Sequence, residues 1–117
     1  MTKDDYEVVA YKVLAYLYAC LKAGVAPNIG KAQEVVKVNE YYFYHVLSSL
    51  SDKGLITPVE LFKDMNGEIL DVAGDPVITM EGAKYLKENA GMRKVEHFLG
   101  KAFEIALDIA VKATLAI

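Results

Sequence analysis

The chain has 117 residues, 54% of them hydrophobic, and a formal net charge of -3. This length suits one domain with a sizeable core, and no apolar run reaches the roughly 18 residues that a membrane-spanning helix needs. The negative charge gives no general support for nucleic-acid binding, so any basic face would have to be local. The single cysteine, Cys20, has no partner for an internal disulfide, and the acidic N-terminus does not resemble a signal peptide, so we expect a cytoplasmic protein.

A long first helix is predicted over residues 4–23. Asp4 and Asp5 suit the first turn, and Gly24 suits the end of a helix. This helix has two apolar stripes, although one would be enough to join a small core. The second stripe should therefore be covered by another element, and it consists of Val8, Tyr11, Ala15 and Tyr18.

Two further helices are predicted over residues 30–36 and 40–53. Asn39 is a good N-cap for the second of these, because its side-chain oxygen can accept from the backbone N–H groups of the next turn. The connection of about three residues is typical of a helix-turn-helix. The inward residues of the third helix follow at spacings of three and four: Phe43, Val46, Leu47 and Leu50.

A β-hairpin is predicted next. Residues 55–63 and 68–73 are rich in β-formers, and Asn66-Gly67 between them is typical of a two-residue hairpin turn. Thr79 is expected to cap a fourth helix. This order of elements predicts a mainly α fold with a small β wing, a winged helix-turn-helix of the form α1-α2-α3-β hairpin-α4.

A last helix is predicted from about residue 92 to the end, apolar on all but one narrow stripe. At 1.5 Å per residue it would be about 39 Å long, too long to be buried in its own domain. We therefore predict a winged-helix domain over 1–90 and a C-terminal dimerisation helix over 91–117, both within one compact unit. A membrane-surface helix is the alternative, which the mixture of acids and lysines on the polar stripe disfavours. The expected homodimer interface comprises Val8, Tyr11, Ala15, Tyr18, Val95, Phe98, Leu99, Phe103, Leu107 and Val111.

Two motifs support the winged-helix prediction. The first is Leu47-x-x-Leu50-x-x-x-Gly54, which runs directly into an apolar strand. The second is the segment 78–89, with the sequence ITMEGAKYLKEN. This segment resembles the YjcQ-like winged-helix proteins of Gram-positive bacteria and their phages. The resemblance implies a winged-helix fold and a regulatory role, and the chain departs from that family in its longer, more apolar C-terminal helix.

DNA binding is the first function that this fold predicts. If the third helix enters a major groove, its outward side chains should meet bases, and nearby lysines should meet phosphates. The chain is then a dimeric DNA-binding transcriptional regulator. The predicted DNA-contacting residues are Lys31, Lys37, Tyr41, Tyr42, Tyr44, His45, Ser48, Lys53 and Lys63.

The alternative is a winged-helix protein-interaction module without DNA binding. The third helix has no arginine, which with lysine makes the commonest specific contacts to guanine. Tyrosine, in contrast, is enriched at protein interfaces. A continuous positive face over the predicted lysines would favour DNA, whereas an exposed tyrosine patch bordered by acids would favour a protein partner.

No catalytic residue, metal site or cofactor is predicted. His45 and His97 are far apart in sequence and lack the spacing of metal ligands. No activated nucleophile, glycine-rich phosphate loop or paired-carboxylate motif accompanies them. The sequence therefore predicts a binding protein rather than an enzyme.

Overall fold

The computed structural model describes residues 1–116, and within this range the chain forms five helices and one two-stranded antiparallel sheet. The predicted fold class, mainly α with a small β wing, is confirmed. The elements are α1 (Tyr6–Ala23), α2 (Ile29–Val36), α3 (Glu40–Asp52), β1 (Glu60–Lys63), β2 (Ile69–Ala73), α4 (Met80–Glu88) and α5 (Ala90–Leu115).

Side-chain caps set the starts of the helices around the turn and the wing. The side chain of Asn39 accepts a hydrogen bond from the N–H of Tyr42, and that of Thr79 accepts one from the N–H of Gly82. Both caps agree with the predictions from sequence. Lys37 ends α2 in the left-handed conformation, with φ 59°. The tight turn between α2 and α3 is therefore residues 37–39, as expected for a helix-turn-helix.

The third helix is oriented as predicted. Its four expected inward side chains, Phe43, Val46, Leu47 and Leu50, are all buried. Because they recur at spacings of three and four, they occupy one side of the helix and pack toward α1 and the wing. The opposite side of α3 is left to face outward.

The wing has a longer turn than predicted. Beyond the two strands, the N–H of Asp64 donates to the carbonyl oxygen of Glu68 at 2.9 Å, which leaves three residues, 65–67, at the tip of the hairpin. Gly67, at φ 82°, is the only residue of that loop with a positive φ. A turn that ends on one left-handed residue suits a three-residue hairpin, whereas the predicted two-residue type requires a positive φ at both positions.

The predicted strand over 55–63 is shorter than expected, because its first part leaves the wing. Ile56 instead forms an isolated bridge with Ile78, next to the start of α4. The close approach explains the glycine in the second sequence motif: a Cβ on Gly82 would collide with the carbonyl oxygen of Leu55. Only glycine lets α4 pack this closely on the segment that follows α3.

The last helix is bent, and this changes what it covers. Gly100 has φ 64° and ψ -157°, a conformation open essentially to glycine alone. Beyond the bend, the ring of Phe103 lies 6.0 Å from that of Tyr11 on α1. Farther along, the hydroxyls of Thr114 and Tyr16 are 2.7 Å apart in a buried hydrogen bond. The part of α5 beyond the bend therefore packs along α1.

The predicted dimer surface on α1 is revised by this packing. Val8, Tyr11 and Ala15 are buried within a single chain, and so are Val95 and Phe103 of α5. The expectation assumed a straight helix, whereas the bend allows α5 to fold back over the second stripe of α1. Four of the remaining predicted interface residues are partly buried: Tyr18, Leu99, Leu107 and Val111. The fifth, Phe98, is exposed.

Candidate macromolecule-binding face

The outer side of α3 presents an aromatic pair. Tyr41 is 57% exposed, and its ring centroid lies 4.5 Å from that of His45. The two residues are four apart, so they are neighbours on the surface of the helix. The wing supplies the third member, because the Oε2 of Glu68 lies 3.9 Å from the Nε2 of His45. We call Tyr41, His45 and Glu68 the aromatic face.

Glu68 affects both aromatic residues of this face. A hydrogen bond to its carboxylate, and then its negative charge, raise the pKa of the Tyr41 hydroxyl. The Nε2 of His45 is buried and has no hydrogen-bond partner among residues 1–116. The aromatic face thus combines an exposed ring, a carboxylate and an unsatisfied imidazole nitrogen.

Two other predicted contact residues are engaged inside the chain. The hydroxyl of Tyr42 donates to the carbonyl oxygen of Asp4 at 2.7 Å. The hydroxyl of Tyr44 donates to a carboxylate oxygen of Asp71 in β2 at 3.4 Å. Burial, followed by nearby carboxylates, raises the pKa of both hydroxyls. These tyrosines fix α3 against the N-terminal segment and the wing, and the predicted Ser48 is also partly buried.

Acidic side chains dominate the wing beside the aromatic face. Between residues 59 and 75 five carboxylates accompany a single lysine: Glu60, Asp64, Glu68, Asp71 and Asp75, with Lys63. Such a surface repels phosphates and attracts positively charged groups.

The four predicted phosphate-binding lysines lie on separate elements. The ammonium of Lys31 is 3.3 Å from the carboxylate of Glu34. Lys37 precedes the N-terminus of α3, while Lys53 caps its C-terminus, about 20 Å away along a helix of this length. Lys63 belongs to β1 in the acidic wing. The intervening outer side of α3 contributes no further lysine or arginine.

A different lysine cluster was not predicted from the sequence. Lys12 of α1 is only 8% exposed and lines a pocket of about 300 Å³ together with Lys3, Lys37 and Asn39. Burial, and then the positive charges of Lys37 and Lys3, lower the pKa of Lys12. We call this site the lysine pocket. One sequence signal could have pointed to it, since Lys12 is the only charged residue between Glu7 and Lys22.

Residues 1–116 offer no sign of two other kinds of site, a metal centre and a membrane-spanning helix. In that part of the chain, no group of three or more His, Cys, Asp or Glu side chains is arranged to hold a metal ion. No helix described there combines the length and apolarity needed to cross a membrane. Cys20 is buried, and burial raises the pKa of its thiol, which disfavours the reactive thiolate.

Comparison with known proteins identifies the family. No curated protein matches the chain, and no solved structure matches it. The family model of the YjcQ protein matches residues 11–104, a range that runs from α1 through the wing and α4 into α5. The match covers most of the chain and confirms the resemblance seen in segment 78–89, so the chain belongs to the YjcQ protein family.

Proposed function

We propose that this domain acts by binding a protein partner through the aromatic face, and not by catalysis. One observation carries the proposal: the exposed ring of Tyr41 lies in a tilted contact with that of His45, beside the carboxylate of Glu68. Tyrosine supplies a large contact area with little rotamer entropy to lose, and it is enriched among residues that dominate binding energy.

The charge of the surroundings indicates the chemistry of the partner. Glu68 borders Tyr41 and His45, and Asp71 lies beside α3 in the next strand. A partner segment with arginine or lysine would find opposite charges there. An arginine could in addition stack on the exposed ring of Tyr41. We therefore propose a basic peptide segment as the ligand of the aromatic face, within the regulatory role that the family resemblance implies.

Replacing Tyr41 by alanine should weaken partner binding about fivefold or more, since truncating a tyrosine that dominates an interface costs over about 1 kcal/mol. Peptides would be selected from a random display library on the full chain, and their affinities measured by fluorescence anisotropy. We expect the selected peptides to be rich in arginine and lysine.

Met80→Ala is the matched control, because Met80 is also a large exposed side chain, 74% exposed, but lies at the start of α4. It should leave the affinity unchanged. Selected peptides without basic residues, or peptides that bind Tyr41→Ala as tightly as the parent, would contradict the proposal.

A DNA-binding transcriptional regulator is the second candidate. The observation in its favour is the group of Lys3, Lys12 and Lys37 beside the N-terminus of α3, the part of a recognition helix that enters the major groove. The acidic wing opposes it. The same anisotropy assay with a random-sequence duplex at about 50 mM salt separates the candidates, because phosphate contacts are strongest at low salt. Duplex binding that Lys37→Ala weakens for every sequence alike would replace the protein-binding proposal.

We also propose that the protein is a homodimer, through a different surface from the one first predicted. Ala102, Ile105 and Ile109 recur at spacings of three and four on the exposed side of α5, and both isoleucines are 62% exposed. This spacing matches the seam of a helix pair, and a second copy of the chain offers the same apolar seam.

Ile109→Lys should weaken dimerisation at least roughly thirtyfold, the effect of losing a contact worth about 2 kcal/mol. Sedimentation equilibrium over a range of concentrations measures this change. Leu70→Lys is the control, because Leu70 is also 62% exposed but belongs to β2. A parent chain that stays monomeric at high micromolar concentration would refute the dimer.

A further inference from the structure

We propose that the lysine pocket binds the terminal phosphate group of a small molecule. The pocket lies between the first turns of α1 and the α2–α3 turn, apart from the aromatic face. The inference does not depend on the partner of that face.

Lys12 is largely buried along α1 and forms part of the wall of the pocket. Lys12 is only 8% exposed. Within residues 1–116, its side chain has no hydrogen bond or ion pair. Packing of the stem draws the ammonium partly out of water, and an unpaired charge is then less stable than one with a partner. An anion in the pocket would supply the partner that residues 1–116 do not give this ammonium.

The charges around the pocket define the anion. Three ammonium groups, those of Lys3, Lys12 and Lys37, line it together with one carboxylate, that of Asp4. The surplus is two positive charges. A terminal phosphate carries about -1.5 to -2 at pH 7 and neutralises this surplus, whereas a phosphodiester of a nucleic-acid backbone carries a single charge.

The neighbouring lysines also repel the charge on Lys12. Burial, then Lys37 and then Lys3, lowers the pKa of Lys12. A bound dianion would offset both the desolvation and the repulsion, so occupancy and the charged form of Lys12 favour each other.

The volume of the pocket and the adjacent N-terminus of α3 also favour a small anion. Asn39 lines the pocket at the N-terminus of α3, a helix of 13 residues whose dipole favours negative charge at that end. The volume of about 300 Å³ is at the lower end of small-molecule sites. The pocket therefore suits a phosphate on a compact carrier.

The proposal is tested by titrating the full chain with inorganic phosphate and with phenyl phosphate, at constant ionic strength, while amide shifts are followed by NMR. We expect saturable shifts at Lys12 and across the turn at residues 36–39. Lys12→Met should raise the Kd about tenfold or more, the typical effect of losing one charge-assisted hydrogen bond. This variant keeps the apolar stem of the side chain and should remain folded.

Two further variants separate binding from folding. Lys37→Gly removes a pocket ammonium and relieves the left-handed backbone at φ 59°, so it should bind phosphate more weakly without loss of thermal stability. Lys31→Met is the control, because Lys31 pairs with Glu34 outside the pocket and should bind phosphate like the parent.

Three results would overturn the proposal. The first is the absence of shifts at the pocket amides at tens of millimolar phosphate. The second is equal affinity in Lys12→Met and the parent. The third is a DNA duplex that shifts the same amides at far lower concentration than phenyl phosphate, because the ligand would then be the nucleic-acid backbone.

Discussion

A chain that ends at Gly91 is expected to lose cooperative unfolding. The truncation removes Met92, Val95 and Phe103, which are buried in the core shared by α1 and α5. Loss of a large buried side chain typically costs about 2–5 kcal/mol, and the whole stability of a domain is about 5–15 kcal/mol. Several such losses together exceed what the shortened chain can tolerate. Urea titration followed by far-UV circular dichroism measures the effect, since the protein has no tryptophan.

A chain that ends at Thr114 is the control for this truncation. It keeps the buried hydrogen bond between the hydroxyls of Tyr16 and Thr114 and should unfold at nearly the urea concentration of the parent. Should the chain ending at Gly91 unfold in one sharp transition near the parent midpoint, residues 1–91 would form an independent domain and the rest of α5 would be an appendage to it.

Leu50→Ala should lower the free energy of unfolding by about 2–5 kcal/mol, the usual effect of truncating a buried leucine. Leu50 is 4% exposed on the inward side of α3. Its carbonyl oxygen also accepts from the N–H of Leu55, which joins the end of α3 to the segment leading into the wing. The cavity should therefore weaken packing at the point where helix and wing meet, and the urea midpoint measures the loss.

Leu70→Ala removes the same atoms from a leucine that is 62% exposed in β2. A surface change of this kind should alter the free energy of unfolding by less than about 0.5 kcal/mol. Equal midpoints for the two leucine variants would mean that the register assigned to α3 is incorrect.

The candidate site was predictable only in part. The spacing of the buried residues of α3 predicted that Tyr41 and His45 face outward, because helical periodicity alone separates the two sides of the helix. The contact of both with Glu68 depends on how the wing packs against α3, which no local pattern encodes. Tyr42 and Tyr44 were expected on the same surface, yet their hydroxyls bond to Asp4 and Asp71 within the chain.

The lysine pocket was likewise predictable from the sequence only in part. Lys12 lies in an apolar stretch of α1, so its isolation is visible in the sequence. Its burial, and its approach to Lys3 and Lys37, depend on α1 packing beside the α2–α3 turn. Distances between residues so far apart along the chain are set by tertiary packing.

Local interactions determined the order of helices and strands, so the sequence by itself was enough to predict that order. Asn39 and Thr79 cap helices through hydrogen bonds that span only three residues, and the Asn66-Gly67 signal marks the hairpin. The exact loop length in the wing was missed, since one left-handed glycine is compatible with more than one turn.

The bend of α5 and its packing on α1 were decided only by the tertiary structure. The sequence shows an apolar helix with a glycine at position 100, and a glycine within a helical pattern does not specify whether the helix continues or bends. The bend is selected because it lets Phe103 and Thr114 pack against Tyr11 and Tyr16 of α1. Burial of that apolar surface is a long-range gain, and it outweighs the local preference for a straight helix. The same packing covers the second stripe of α1 within one chain, leaving the outer seam of α5 exposed.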